Sequence, residues 1–284
     1  EIQGIKPVVA VARKYLEEGF SSHVIGYVSE TSVKDLENSE LLREINVPGL
    51  KTGKNGLEKF LNDAIIGKPG IQRFEVNAFG KRIRELKLVS GSQGENFRTT
   101  IDQEVQKFTN ELIKDKSGSV CVMDIYTGDI VSIVSSPTFD PNKFVHGITQ
   151  KDWDSLINNK KKPLMNKPLA GLYPPGSTIK PIVALSALEN DVISPKFVVE
   201  CKGSTELYEQ KYHCWKDKGH GYMTLRSAIK QSCDVYFYEV ARRLGVDRLS
   251  VTAKKFGLGK KVLSKFNEEK IGVVPNTKWK LKNI

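Results

Sequence analysis

Long apolar runs are missing. No stretch approaches the roughly 20 consecutive residues needed to cross a bilayer, so no membrane span is predicted within these residues. Cysteine is scarce as well, and four thiols in 284 residues are too few for a disulfide scaffold. The chain opens at Glu1 without the basic, apolar and small-residue series of a secretory signal. Internal repeats, low-complexity tracts and any recognisable nucleic-acid-binding module are also absent. Lys and Arg outnumber Asp and Glu by 44 to 33, for a net charge of +11, yet the basic residues are interleaved with acids and their densest cluster is Lys160-Lys161-Lys162. A nucleic-acid binder gathers its charge on one helix or stripe, so this excess reads as a solvated Lys-rich surface and nucleic acid is excluded as a partner. With 39% hydrophobic and 27% charged residues the chain is a globular protein long enough for one large or two ordinary domains. Its start at Glu1, and a final run from Trp279 to Ile284 without capping or turn signals, suggest an excised fragment cut at both ends.

Residues 8–16 fit either a helix or a strand, and 22–28 are β-rich and read as a strand. Residues 55–64 have the spacing of a short amphipathic helix, and two runs flanking Phe79-Gly80 suggest a hairpin. The Gly- and Ser-rich stretch 90–96 is the best linker, which places a domain boundary near residue 97. Beyond it, Ile101, Val105, Phe108, Leu112 and Ile113 mark a helix, and 119–125 with 130–134 form a second hairpin around Gly128. The remainder reads as mostly helical.

The informative stretch is Gly171-Leu172-Tyr173-Pro174-Pro175-Gly176-Ser177-Thr178-Ile179-Lys180, followed by an apolar helix pattern. A Pro-Pro-Gly turn delivers Ser177 to a helix start, near free backbone N–H groups, and Lys180 returns to the same face three residues later. A desolvated amine there can act as the base that activates the serine, and the N–H groups can hold an oxyanion. Alone, Ser-x-x-Lys reads as an N-cap followed by a solvated lysine, and Pro181 disfavours helical geometry at Lys180. The context changes that. Ser232-Cys233-Asp234 falls in a break between a helix over 224–231 and another over 235–244 closed by Gly245. Ser-x-x-Lys with a Ser-x-Asn-like box marks serine acyltransferases that react with penicillin. Ser232 would relay a proton to and from Lys180. Asp234 stands where Asn is commoner; as a carboxylate it would pair with Lys180 or accept from a peptide N–H. A Lys-Thr-Gly run at Lys51-Thr52-Gly53 lies too early to be the third box of such enzymes and is read as a structural turn.

These runs, with Phe139-Asp140-Pro141-Asn142-Lys143-Phe144, Gly219-His220-Gly221 and Ser232-Cys233-Asp234-Val235-Tyr236-Phe237-Tyr238, resemble the transpeptidase domain of the penicillin-binding protein 2 family, the monofunctional class B enzymes of rod-shaped cell elongation. Lys54-Asn55-Gly56-Leu57-Glu58-Lys59 and Phe74-Glu75-Val76-Asn77 resemble the family's non-catalytic pedestal. The resemblance implies D,D-transpeptidation of peptidoglycan stem peptides, with Ser177 as nucleophile, Lys180 as base, Ser232 as relay and Asp234 as orienting partner, and acylation by β-lactam antibiotics. It also implies the periplasmic face of the bacterial inner membrane, an N-terminal single-pass anchor outside this chain, and a membrane glycosyltransferase and elongation proteins as partners. The +11 charge would then face anionic lipid and carboxylate-bearing peptidoglycan. The expected fold is α+β: a pedestal, dimerisation-like domain over 1–97, then a truncated transpeptidase domain over 98–284 with an antiparallel sheet flanked by helices. A contrasting reading is a non-catalytic scaffold or penicillin-sensing module of the elongation complex.

Three cysteines and a histidine, Cys201, Cys214, His220 and Cys233, fall close together in sequence. Three thiolates and an imidazole suit a closed tetrahedral Zn²⁺ site, although the spacing is not that of a zinc finger. A Cys201–Cys214 disulfide and buried free thiols are competing readings. If 232–234 is extended, Cys233 faces away from Ser232 and Asp234, so zinc would pin the box from behind. His213 is a weaker substitute ligand, and Cys121, in an alternating strand, is expected in the core.

Overall fold

The computed structural model describes residues 12–16, 19–263 and 266–283. They fall into two compact units, one reaching residue 171 and including 266–268, the other formed by 172–263 and 269–283. All strand pairing is antiparallel and is interleaved with helices, the α+β class expected.

In the first unit, residues 12–16 are neither helix nor strand, and the rest of the ambiguous run, 8–11, lies outside the described residues. The strand expected over 22–28 is instead a helical turn, Ser22–Ile25, followed by β1 (Val28–Glu30). Tertiary burial overrides the local β preference here. His23 is 4% exposed, its Nε2 lies 2.7 Å from the Pro163 carbonyl, and its ring meets Phe139 edge-on. Burial pushes the His23 imidazole down to about 4, with the Pro163 carbonyl opposing the shift and the charge of Lys167 adding to it.

That shift predicts an acid-labile unit. The folded pKa lies below the unfolded value of 6.5, so stability is complete above pH 6.5 and is lost as pH falls toward 4. At about 1.4 kcal/mol per tenfold change in proton affinity, the loss reaches roughly 3 kcal/mol. Urea unfolding at pH 7 and pH 4.5 measures it, and a His23→Gln variant should show a visibly flatter profile.

β1 pairs with β2 (Lys51–Gly53), Val28 opposite Gly53. Lys51-Thr52-Gly53 is therefore a strand and not the expected turn: its backbone is consumed by pairing, and Thr52 is 3% exposed. The helix over 55–64 is broken at Leu61 into Gly56–Phe60 and Asn62–Ile65. β3 (Ile71–Val76) and β4 (Arg82–Val89) form the hairpin read around Phe79-Gly80, where Asn77 Oδ1 accepts the N–H groups of Phe79 and Lys81 at 3.0 and 2.9 Å. The stretch 90–96 is not a free connector, since Ser92 and Lys68 exchange two backbone hydrogen bonds of 2.9 Å.

Helix Gln103–Ile113 packs on β6 (Ile130–Ser136), whose partner is β5 (Gly118–Met123). Gln106, fully buried, donates to the Phe20 and Ile133 carbonyls and accepts from the Ser132 hydroxyl and the Ile133 N–H. Cys121 is exposed rather than in the core. β5 does alternate, but Gly118 and Val120 occupy the half-buried face, so Ser119, Cys121 and Met123 point outward. The division between units falls after Gly171 because helix Ser22–Ile25 packs on β6 and helix Asn142–Val145 on β1.

In the second unit, helices Lys180–Glu189 and Asp234–Leu244 pack through Val183, Ala184, Ala187, Val235, Tyr236 and Val240. Ala187 and Tyr236 are both 0% exposed, small residues on one helix accommodating a large ring on the other. The region expected to be mostly helical contains four strands: β7 (Val198–Cys201), β8 (Ser204–Leu207), β9 (Gln210–His213) and β10 (Gly221–Thr224). β7 pairs with β10, and β8 with β9 across Tyr208-Glu209, both left-handed at φ 52 and 62. β8 and β9 are short and polar, so no apolar alternation betrays them in the sequence.

Candidate active site

Ser177 sits in a 3₁₀ turn, Gly176–Ile179, that runs directly into helix Lys180–Glu189. Pro181 does not break this helix, because it occupies the first turn, where its missing N–H would have had no intrahelical partner. Ser177 is exposed, whereas Lys180, one helical turn on, is 9% exposed. Ser232 and Asp234 arrive from the break between helices Leu225–Lys230 and Asp234–Leu244.

The structure brings all four together. Ser232 Oγ donates to Ser177 Oγ at 2.9 Å. Lys180 Nζ donates to Ser232 Oγ at 3.0 Å, to the Ser232 carbonyl at 2.9 Å and to Asp234 Oδ1 at 2.7 Å. All three ammonium donors are therefore engaged. The Lys180–Asp234 pair is largely buried, with side chains 11% and 23% exposed. Asp234 takes both positions open to it, since its other oxygen, Oδ2, accepts the Trp215 N–H at 3.1 Å. Chemically, an exposed hydroxyl connects through a second hydroxyl to an amine held by a carboxylate, a two-step proton path suited to nucleophilic catalysis.

The tripeptide 232–234 is not extended. Ser232 is left-handed at φ 51, a conformation costing a non-glycine residue about 1 kcal/mol. The turn still buries Cys233, 0% exposed, among the other cysteines. The ligand atoms of Cys201, Cys214, His220 and Cys233 all lie within 4.8 Å of one another. His220 Nδ1 is 3.6 Å from Cys201 Sγ and 3.5 Å from Cys214 Sγ. The cysteines are all free thiols, so the Cys201–Cys214 disulfide is not formed here, and His213 lies outside the cluster.

Glycine makes this loop possible. A Cβ on Gly203 (φ 94) would lie 1.9 Å from the Asp217 carbonyl oxygen, and one on Gly219 (φ 74) 2.1 Å from that of Cys201. Burial pushes the Cys233 thiol up to about 12. It acts in the same sense on Cys214, but backbone N–H groups of Lys216, Asp234 and Val235 outweigh it and favour the thiolate. Cys233, the N-cap residue of helix Asp234–Leu244, makes no side-chain cap. Burial and the charge of Lys216 lower the His220 pKa.

Trp215 was not foreseen. Its indole, in a residue 64% exposed, is anchored by Nε1 donating to the Gln231 carbonyl at 3.0 Å and rests edge-on against His220. Its only sequence signal is its position after Cys214, which becomes meaningful once the loop folds back onto Asp234. Lys51, Thr52 and Gly53 belong to the first unit, outside this group.

Comparison with known proteins places the arrangement. Residues 118–284 match the penicillin-binding protein transpeptidase domain, and residues 1–99 match the penicillin-binding protein dimerisation domain. The peptidoglycan D,D-transpeptidase MrdA of Escherichia coli K12 is 37% identical over 289 residues, covering 100% of this chain and 45% of the relative. Its Haemophilus influenzae counterpart is 36% identical, covering 95% and 42%. Among solved structures, the Helicobacter pylori PBP2–MreC complex matches with a TM-score of 0.84 at 34% identity, over 96% of this chain and 50% of that one. Pseudomonas aeruginosa PBP2 in complex with WCK 5153 gives 0.82 at 33%, over 96% and 56%. A peptidoglycan synthase complex described as coordinating polymerization and crosslinking gives 0.74 at 29%, over 92% and 48%. The chain spans about half the length of these relatives. The transpeptidase match alone takes in more than half of the residues, including every one in the serine–lysine network, and the chain belongs to the penicillin-binding protein transpeptidase family.

Proposed function

We propose that this chain serves peptidoglycan D,D-transpeptidation during cell-wall elongation through an acyl-enzyme on Ser177, and that β-lactams acylate the same residue. One observation carries the reading: the continuous hydrogen-bond chain from Ser177 through Ser232 to Lys180 and Asp234. With Lys180 as the free amine, Ser177 Oγ attacks the penultimate D-Ala carbonyl while its proton passes through Ser232 to Lys180. Backbone N–H groups at the turn hold the oxyanion. The C–N bond breaks, the proton goes to the departing D-Ala amine, and an acceptor amine on a neighbouring stem then takes the acyl group. Asp234, fixed by the Trp215 N–H, keeps Lys180 in line. Incubation of the full-length protein with a pentapeptide stem tests this: D-Ala release and cross-linked product support it, whereas penicillin binding without either favours the scaffold reading.

In this reading residues 1–97 form the pedestal and 98–284 the catalytic domain, supported by the two family matches. The partners are a membrane glycosyltransferase and elongation proteins, by analogy with the MreC-bound and synthase-complex relatives. The site of action is the periplasmic face of the inner membrane. Among the described residues no helix is long and apolar enough to cross a membrane.

Strain at Ser232 separates stability from activity. Ser232→Gly should change stability little, because glycine relieves the strain at φ 51 while the Lys180 ammonium loses one of its three acceptors. The same change should slow penicillin acylation by about 10²-fold, through loss of the relay. Paired thermal melts and labelling kinetics read both effects.

The cysteine cluster fits structural zinc. A tetrahedral centre with Zn–S of about 2.3 Å and Zn–N of about 2.0–2.1 Å has N···S edges of about 3.5 Å, and those from His220 to Cys214 and Cys201 are 3.5 and 3.6 Å. Bound zinc would supply a cross-link and no chemistry, holding Cys233 behind the Ser232 and Asp234 side chains. Purified protein should contain about one zinc per chain, and chelation should lower its melting temperature. Metal analysis that finds none would remove the idea.

A further inference from the structure

The geometry assigns the cysteine cluster a second chemistry: we propose that, when no metal holds it, Cys201 and Cys214 are oxidised by hydrogen peroxide to a disulfide that loosens Asp234 and slows acylation at Ser177. The inference rests on the acyl-enzyme reading above for its functional consequence. The disulfide itself does not depend on that reading.

Cys201 and Cys214 stand at the root of one hairpin. Cys201 ends β7 and Cys214 follows β9, with the Cys214 N–H bonded to the Gly203 carbonyl at 2.8 Å, and their sulfurs lie within 4.8 Å. Cys233 is held more tightly. It follows the left-handed Ser232, its N–H bonds the Ala228 carbonyl at 3.0 Å, and it is 0% exposed. Cys214, buried like the other two, adjoins the exposed Trp215.

The steps balance. Cys214 Sγ attacks one oxygen of hydrogen peroxide, the O–O bond breaks, and a sulfenic acid and one water form. Cys201 Sγ then attacks the sulfenic sulfur, the S–S bond forms, and the hydroxyl leaves with the thiol proton as a second water. Two thiols are oxidised and one peroxide is reduced.

The consequence reaches the serine through Trp215 and Asp234. The residue after Cys214, Trp215, donates its N–H to Asp234 Oδ2 at 3.1 Å. Asp234 in turn holds Lys180 at 2.7 Å. Closing a bond of about 2.05 Å moves Cys214 and with it the neighbouring Trp215 N–H that holds Asp234. Bound zinc would occupy both thiolates and protect them.

The test uses full-length protein carrying Cys121→Ser, which removes the exposed thiol outside the cluster and should leave labelling unchanged. Zinc-loaded and chelator-stripped samples are treated with hydrogen peroxide, remaining thiols are trapped with N-ethylmaleimide, and peptides are mapped by mass spectrometry. Fluorescent-penicillin labelling is followed before treatment, after it, and after a phosphine reductant. The stripped sample should contain a Cys201–Cys214 bond, label at least tenfold more slowly, and recover on reduction, while the zinc-loaded sample is unaffected. Trapped Cys201 and Cys214 after peroxide, pairings scrambled with Cys233, or a Cys201–Cys214 bond that leaves labelling unchanged would each overturn the inference. Failure of untreated protein to label would instead count against the acyl-enzyme reading, and the disulfide map would still be decisive.

Discussion

Ser177→Ala in the full-length protein is expected to abolish penicillin labelling and D-Ala release together, leaving turnover at least about 10³-fold below wild type, because Ser177 is the exposed hydroxyl of the proton path and Ser232, half-buried between it and Lys180, serves as the relay. The fold should not notice the change. Ser177 is exposed, and the hydrogen bond its hydroxyl accepts from Ser232 can be replaced by water. An unchanged melting temperature beside lost labelling therefore separates removal of the nucleophile from collapse of the site. Equal labelling by the alanine form would end the assignment of Ser177.

Lys180→Met should do both kinds of damage. Acylation should fall by about 10²–10⁴-fold with loss of the proton acceptor. Stability should fall by about 3 kcal/mol, since Asp234, only 23% exposed, is left without its cation and two acceptors at Ser232 lose their donor. Adding Asp234→Asn tests this account. The double variant should regain part of the lost stability, because the stranded charge is gone, while labelling stays as slow as in Lys180→Met. Stability that does not recover would mean that the Lys180 ammonium supports the fold through its other contacts, the Ser232 oxygens and the Phe237 ring 5.6 Å from Nζ, rather than by neutralising Asp234.

The parts of this site legible in the sequence were those held by local geometry. Ser177 and Lys180 share one helical turn, so their spacing alone places both on one face, and Gly245 ends the next helix where it was read to end. Ser232 and Asp234 were legible because a helix break shows in a sequence even when its conformation does not. The break is left-handed rather than extended, and it still turns Cys233 toward the other cysteines. Trp215 was hidden because its contact with Asp234 spans a long loop and uses a backbone N–H, which carries no residue signature. The helical turn at Ser22–Ile25 was misread because burial of His23 decides it, and Cys121 because strand alternation tells which residues share a face but not which face is covered. The decoy at Lys51-Thr52-Gly53 was set aside from its order along the chain, and the structure makes it a paired strand of the first unit.

The most direct test of the account is the site of the acyl adduct. Full-length protein incubated with benzylpenicillin, digested and mapped by mass spectrometry should carry one added penicilloyl group, on the peptide containing Ser177 and on that side chain. An adduct on Ser232 or any other residue, or folded protein that takes up none, would contradict it.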